Sequence, residues 1–453
     1  MNIRKLFLTA RLVSLALVSS FVLVACGGGS ANDDASPVTS TPTTGTVGLF
    51  FTDLPSDEFS EINLNVTKAV ILGGDDSQQV LFEGSEPINL LDLTNFNEPI
   101  VFGEVAVGTY TKLRLYIDDL ELVPHVGDPI YPALPANGKI DMLDADGFAV
   151  LPGRTLLVEI DMDANKSIKI TNAGNGKKYN FRPVVKVNFM DGGLDNKLAR
   201  VEGSVSEIYS GPAGSFLLCD IDSPDNCVKV ETDSSSSIFG EDGLGTEFST
   251  LQGGDMVIVI GRYEVEPEIV LNAVVLEIGG TAEQVKGNVV SNPVDNSFLM
   301  LANDGSDLVI EQQPGTRYFN DGGEITADAV VLGVDIEVEG VKPPKVNVDD
   351  KDLLRAALVF VEADPDEQIS GTIIEPLDAD DMSFGLTLSI GGDTCVRVAE
   401  GADVLLVDDA NSTVTLGTFA DLALGQSVDV FGESVADSCF EANEVIVEVV
   451  AMP

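Results

Sequence analysis

The chain has 453 residues, 44% of them apolar, enough to bury proper cores; at roughly 150 residues per domain, that length suggests three or four domains. Its 74 Asp and Glu outnumber its 25 Lys and Arg, for a formal net charge of −49. A field of that sign repels phosphate backbones and anionic lipid surfaces, so nucleic acid is not an expected partner.

At the N-terminus, Arg4, Lys5 and Arg11 accompany an apolar stretch from Leu12 to Val24, shorter than the roughly 20 residues that span a bilayer as a helix. A positive start, a short apolar centre and a small residue before the cut describe a secretory signal peptide over 1–25. Leu23-Val24-Ala25-Cys26, followed at once by Gly27-Gly28-Gly29-Ser30, resembles the lipobox of bacterial lipoproteins. The resemblance implies that Cys26 is diacylated through its sulfur, becomes the mature N-terminus and is then N-acylated; Gly27 after it points to the outer membrane. Several acyl chains, at about 0.8 kcal/mol per buried CH₂, would anchor the protein stably. The competing reading, an unlipidated secreted protein, leaves unexplained why Cys26 is the first cysteine before Cys219.

Residues 26–45 follow as a tether of Gly, Ser, Thr and Pro with almost nothing to bury. As a coil it reaches about 25 Å. From Thr46 the hydrophobic period is two: Val47-Gly48-Leu49-Phe50-Phe51, Ile62-Asn63-Leu64-Asn65-Val66, Lys112 to Ile117 and Val184 to Phe189 alternate or run short and apolar between turn residues. This is strand patterning, and it predicts an all-β sandwich (Ig/transthyretin-like) over 46–192. Five stretches, in order, carry a family resemblance: Gly48 to Pro55 (GLFFTDLP), Ile88 to Leu93 (INLLDL), Val107 to Leu115 (VGTYTKLRL), Val158 to Ile168 (VEIDMDANKSI) and Phe181 to Val187 (FRPVVKV). They resemble the family catalogued as domain of unknown function 4382, largely exported bacterial lipoproteins without an established activity.

The remainder repeats. Val201-Glu202-Gly203-Ser204-Val205, Val285-Lys286-Gly287-Asn288-Val289 and Ile369-Ser370-Gly371-Thr372-Ile373 recur at a constant 84-residue step. Each unit then carries two glycines seven apart, Gly254 and Gly261, Gly333 and Gly340, Gly425 and Gly432, and closes on a strand-like run beginning at Ala273, Ala356 or Ala442. A fixed period of this kind marks an internal repeat. About six strands and one short helical turn per unit, as at Phe419 to Leu424, predict small barrels over 200–280, 284–363 and 368–453, with the glycines at tight bends or bulges. The units resemble the β-barrel repeats of domain of unknown function 5666, which implies an OB-like topology.

With Cys26 lipidated, Cys219, Cys227, Cys395 and Cys439 form an even set in an oxidising compartment. The turn-rich segment from Asp220 to Asn226 brings Cys219 to Cys227, leaving Cys395 for Cys439. A four-cysteine zinc site is the alternative, disfavoured because the chain has no CxxC pair.

Chemistry-bearing residues are few. His125 is the only histidine and sits in a loop-like segment after Pro124, and no GxSxG, HExxH or P-loop pattern occurs. Asp161, Asp163 and Asn165 have the first spacings of a calcium loop, but Lys166 stands where Gly is required and Asn172 where the bidentate Glu belongs. Asp141, Asp144 and Asp146 before Gly147 form a second acidic loop. With no Trp and seven Tyr, the chain is poor in sugar-stacking rings. The expectation is a lipid-anchored cell-envelope protein, periplasmic or surface-facing, that is not an enzyme and needs no cofactor or resident metal. It would bind or brace through an unidentified envelope partner. The alternatives are an accessory factor for extracellular polysaccharide or calcium and, more weakly, a carboxylate-based hydrolase.

Overall fold

A computed structural model describes residues 43–449 apart from 54–58, 75–76, 174–175, 192–196, 210–213, 222–223, 225, 321–322, 345–350, 363–366, 390, 409–412 and 436–438. The segments expected to be signal peptide and tether, with Cys26, therefore lie outside the described residues up to residue 42.

The chain is almost entirely β. The first domain contains β1 (Thr44–Thr52), β2 (Phe59–Gly73), β3 (Gln78–Asn89), β4 (Phe96–Ala106), β5 (Gly108–Pro124), β6 (Lys139–Val150), β7 (Thr155–Met162), β8 (Ile168–Ala173), β9 (Gly176–Phe181) and β10 (Val185–Asp191). One α-helical turn, α1 (Ala164–Ser167), separates β7 from β8. An inner sheet, β10-β7-β1-β4, faces an outer sheet, β6-β5-β2-β3. Val47, Leu49 and Phe51 of β1 enter the core between them, while Phe50 of β1 and Leu157 of β7 point the other way into a second core. Burial on both faces explains why Val47 to Phe51 is a continuous apolar run where a sandwich strand would alternate. β1 begins at Thr44, inside the segment expected to be tether.

Three barrels follow. The first comprises β11 (Leu198–Tyr209), β12 (Ser215–Cys219), β13 (Cys227–Glu231), β14 (Ser237–Phe239), β15 (Met256–Glu264) and β16 (Val270–Ile278). The second comprises β17 (Glu283–Val289), β18 (Ser297–Ala302), β19 (Asp307–Asn320), β20 (Gly323–Glu324), β21 (Asp335–Val341) and β22 (Asp352–Val361). The third comprises β23 (Glu367–Asp378), β24 (Ser383–Leu388), β25 (Asp393–Asp408), β26 (Thr413–Gly417), β27 (Ser427–Ser434) and β28 (Phe440–Glu448). Each closes into a ring: β11-β12-β13-β16-β15, β17-β18-β19-β22-β21 and β23-β24-β25-β28-β27. In every ring the contact between third and closing strand is parallel, and the rest are antiparallel. This is the strand order of an OB-type barrel. A 3-10 turn precedes the fourth ring strand each time, at Phe248–Thr250, Ala327–Ala329 and Phe419–Asp421.

The repeated glycines have two jobs. Gly254, Gly333 and Gly425 turn the chain at φ of 93°, 92° and 85° before the fourth strand, a region L side chains avoid. Gly261, Gly340 and Gly432 sit at register shifts, where each pairs with Ala273, Ala356 or Ala442. A Cβ there would run into the backbone carbonyl of Asn272, Arg355 or Glu441. Two landmarks that are far apart in sequence are thus one Gly–Ala contact in space, a bulge that lets the ring close. Cys219 stands opposite Cys227 on β12 and β13, and Cys395 of β25 meets Cys439, each pair at disulfide distance.

The barrels are in series along the chain but not in space. β11 continues the inner sheet beyond β4, through Leu198 and Ala199 beside Phe96 and Asn97. β26 continues the outer sheet beyond β6, with Thr413 to Thr415 beside Asp141 to Leu143. The third barrel therefore returns to the first domain. Gly340→Ala should cost about 1–3 kcal/mol through overpacking at the bulge, read as a lower urea midpoint at unchanged m-value. A variant with wild-type stability would mean that the close approach is not there.

Candidate functional site

The polar groups that the fold gathers lie at the joints between domains, and the barrels make those joints with equivalent surfaces. Aligning the rings on their Gly–Ala bulges places Ile258 and Ile260 of β15 with Glu337 and Glu339 of β21 and with Asp429 and Phe431 of β27. Val275 and Glu277 of β16 align in the same way with Leu358 and Phe360 of β22 and with Glu444 and Ile446 of β28. These side chains point outward from their own barrel, since the inward positions Val257, Val259, Ile336, Val338, Val428 and Val430 fill the barrel interiors. Most of these outward positions are buried all the same, Asp429 and Glu444 only partly. Ile258, Ile260 and Val275 form one apolar cluster with Leu358, Phe360 and Phe96, so the first two barrels meet each other and the inner sheet. Phe431 and Ile446 cluster with Val184 of the first domain. Phe50 makes edge contacts with Phe102 at 5.6 Å and Tyr263 at 5.2 Å where the first barrel packs on the inner sheet.

Ionic groups complete each joint. At the third barrel, Lys166 of α1 lies 2.7 Å from Asp163 and 3.0 Å from Glu444, with its ammonium 4.0 Å from the Phe431 ring centroid. Arg182 reaches Glu448 at 2.7 Å and Asp429 at 3.5 Å, and Lys186 pairs with Asp403. Burial pushes the Glu444 carboxyl up, against the pull of Lys166. At the second barrel, Lys286 donates to Leu91 O at 2.8 Å and Thr94 Oγ1 at 2.7 Å, closing the 3-10 turn Leu90–Leu93. Glu337 accepts from Asn95 and, at 3.1 Å, from Gln284, with Lys286 3.7 Å away; burial raises its carboxyl to about 7 despite that cation. Arg200 of the first barrel bonds both carboxylate oxygens of Glu339, at 3.0 to 3.3 Å. At the first domain's end, Lys197 donates to Thr52 Oγ1 at 2.7 Å and Asp53 O at 3.3 Å.

The acids of the calcium-like spacing have protein partners. Asp163 accepts the Lys166 backbone N–H at 2.9 Å, capping α1, and also binds the Lys166 ammonium. A cation therefore already stands where the loop would need one, supplied by the residue that replaces Gly. Asp161 lies on β7 opposite Thr52 of β1, where burial raises its carboxyl against the field of Lys197. The side chains of Asn165, Asn172, Asp144 and Asp146 lie outside the described residues. Burial alone would raise Asp141, but hydrogen bonds from Arg114 and Lys112 hold it below the ordinary carboxylate range. Among the described residues, no three or more His, Cys, Asp or Glu side chains are grouped to hold a metal ion. His125 is exposed in the bend after β5. An open hollow on the third barrel is lined by Glu375, Pro376, Leu377 and Leu424.

What sequence reasoning missed is that the motifs of the first domain are docking groups. Leu91, Lys166, Arg182 and Lys186 all lie in the quoted motif stretches, and each reaches a barrel. Lys166→Met should cost about 3–5 kcal/mol by leaving Asp163 and Glu444 buried without their cation. Denaturant unfolding should then show the third barrel melting in an earlier, separate transition; one unshifted transition would contradict the assignment.

Residues 44–183 match the family described as Domain of unknown function (DUF4382), covering the first domain from β1 through β9. No curated protein matches the chain.

Proposed function

We propose that this is a lipid-anchored protein of the bacterial cell envelope, held at the outer membrane by acyl chains on Cys26, working as a non-enzymatic binding or structural module. The observation that carries this reading is the Leu23-Val24-Ala25-Cys26 sequence at the end of a short, positively flanked apolar stretch, followed by a tether. The three barrels, on this reading, are repeats of the domain of unknown function 5666 type. Their ring order and recurring Gly–Ala bulge support that kinship.

The joints support a bracing or presenting role. Fourth and fifth strands are turned inward on the assembly, joined by the third strand in the second and third barrels through Phe319 and Asp403, so the side formed by the second and third strands in the first barrel, and by the second strand in the others, is left for a partner. In OB folds that side, with its flanking loops, carries ligands. A nucleic-acid ligand would need basic grooves and stacking rings. Here those strands carry Leu217, Lys229 and Glu231 in the first barrel, with Lys229 already paired to Glu231 and Glu268 at 2.7 and 2.9 Å. The ligand class that fits is a protein or other envelope component without strong negative charge. Calcium is a weaker reading, because Asp141 and Asp163 are neutralised from within.

Labelling with radioactive palmitate and fractionating the envelope tests the anchor. Wild-type protein should carry label and sediment with outer membrane, whereas Cys26→Ala should be unlabelled and appear in the soluble exported fraction. An unlabelled wild type, or a variant that stays with the membrane, would overturn the reading.

A further inference from the structure

The joint between the first two barrels contains a substitution that the repeat does not prepare for. The position of Glu277 is Phe360 in the second barrel and Ile446 in the third, both packed into apolar interdomain clusters. In the first barrel it is a carboxyl, 2% exposed, meeting Glu339, 1% exposed, from the facing strand. The two carboxyls are within hydrogen-bonding range of each other. Among the described residues no donor hydrogen-bonds either Glu277 oxygen, and both are buried. Arg200 is a cation at the pair, and its Nε and Nη2 both donate to Glu339.

One guanidinium cannot balance two carboxylates in a site closed to water. Like charges at hydrogen-bonding distance do not both ionise; one group keeps its proton and donates it to the other. We propose that a single proton shared between Glu277 and Glu339 latches the first barrel to the second, and that losing it opens this joint. The surrounding charges favour that proton. Glu337 stands two residues from Glu339 on β21, Glu202 lies two from Arg200 on β11, and Glu98 of β4 and Arg200 lie within each other's field. Lys286 of β17 is engaged with Glu337, Leu91 and Thr94. The strands β14 and β22 bring Phe239 and Phe360 to the same interface. Burial, with Glu339 adding to it and Arg200 opposing, pushes the Glu277 carboxyl well above its ordinary 4.5. The sign follows: the folded group holds a proton that the open group would release. The stabilisation is complete below about pH 4.5 and is lost as pH rises through the pair's own, higher titration, by up to tenfold in the closing equilibrium per pH unit. This latch does not depend on the envelope reading.

Hydrogen exchange on the full mature chain at pH 6 and pH 9, corrected for intrinsic rates, tests it through peptides covering β16 and β21. Glu337 titrates in the same interval, so the readout is the difference between wild type and Glu277→Gln, whose amide donates permanently to Glu339. Protection in wild type should fall at least tenfold more than in the variant. Glu277→Ile, which restores the repeat's apolar residue, provides the same comparison should the amide variant fail to fold. Parallel falls in wild type and in the folded variant would overturn the latch.

Discussion

The fourth and fifth strands of each barrel are buried on both faces, and the rest of the assembly follows from that. A small ring fills its interior with one set of side chains and would normally turn the alternate set to water. Here the alternate set includes Ile258, Ile260 and Val275 in the first barrel, Leu358 and Phe360 in the second, and Phe431 and Ile446 in the third, all buried. At about 25 cal/mol per Å² of apolar surface, exposing any one of these costs on the order of 1.5–3 kcal/mol. The first two barrels cover each other and Phe96. The third covers its outward face on the first domain, where Phe431 and Ile446 meet Val184 and β26 joins the edge of β6.

The first domain supplies a distinct chemistry at each joint. Toward the first barrel it offers rings, Phe50 and Phe102 against Tyr263. Toward the second it offers a turn whose Leu91 carbonyl and Thr94 hydroxyl receive Lys286. Toward the third it offers cations, Lys166, Arg182 and Lys186, in a chain otherwise dominated by acids. Partly buried ion pairs contribute little net stability relative to apolar contacts, but losing one partner is costly. They also reject a wrong partner, since an acid-rich barrel docks only where cations await it. Leu91, Lys166, Arg182 and Lys186, all within the motif stretches of the first domain, are thus placed at the joints.

Much of the fold was legible in the sequence because the period-two pattern, the 84-residue step and the glycine pairs are local signals. The joints were not, and particular residues show why. Glu337 and Glu339 alternate with Ile336 and Val338, which reads as a half-exposed strand with acids in water; both acids are nevertheless 1% exposed. Val47 to Phe51 and Met256 to Ile260 did carry a signal, since an unbroken apolar run means burial on both faces, but it does not say against what. The spacing of Asp161, Asp163 and Asn165 imitated a metal loop because a strand end leading into a capped helical turn and a cation loop both place polar residues at short intervals. Only the fold reveals that the cation is the lysine itself.

Small-angle scattering from residues 46–453 tests most directly whether the outward strand faces hold the four domains together. A single packed body of this length has a radius of gyration of about 22 Å. Four touching domains strung in line, each near 13 Å, would give roughly 40 Å. The account predicts a value close to the first, unchanged between low and moderate salt at pH 6; a value near the second would contradict it.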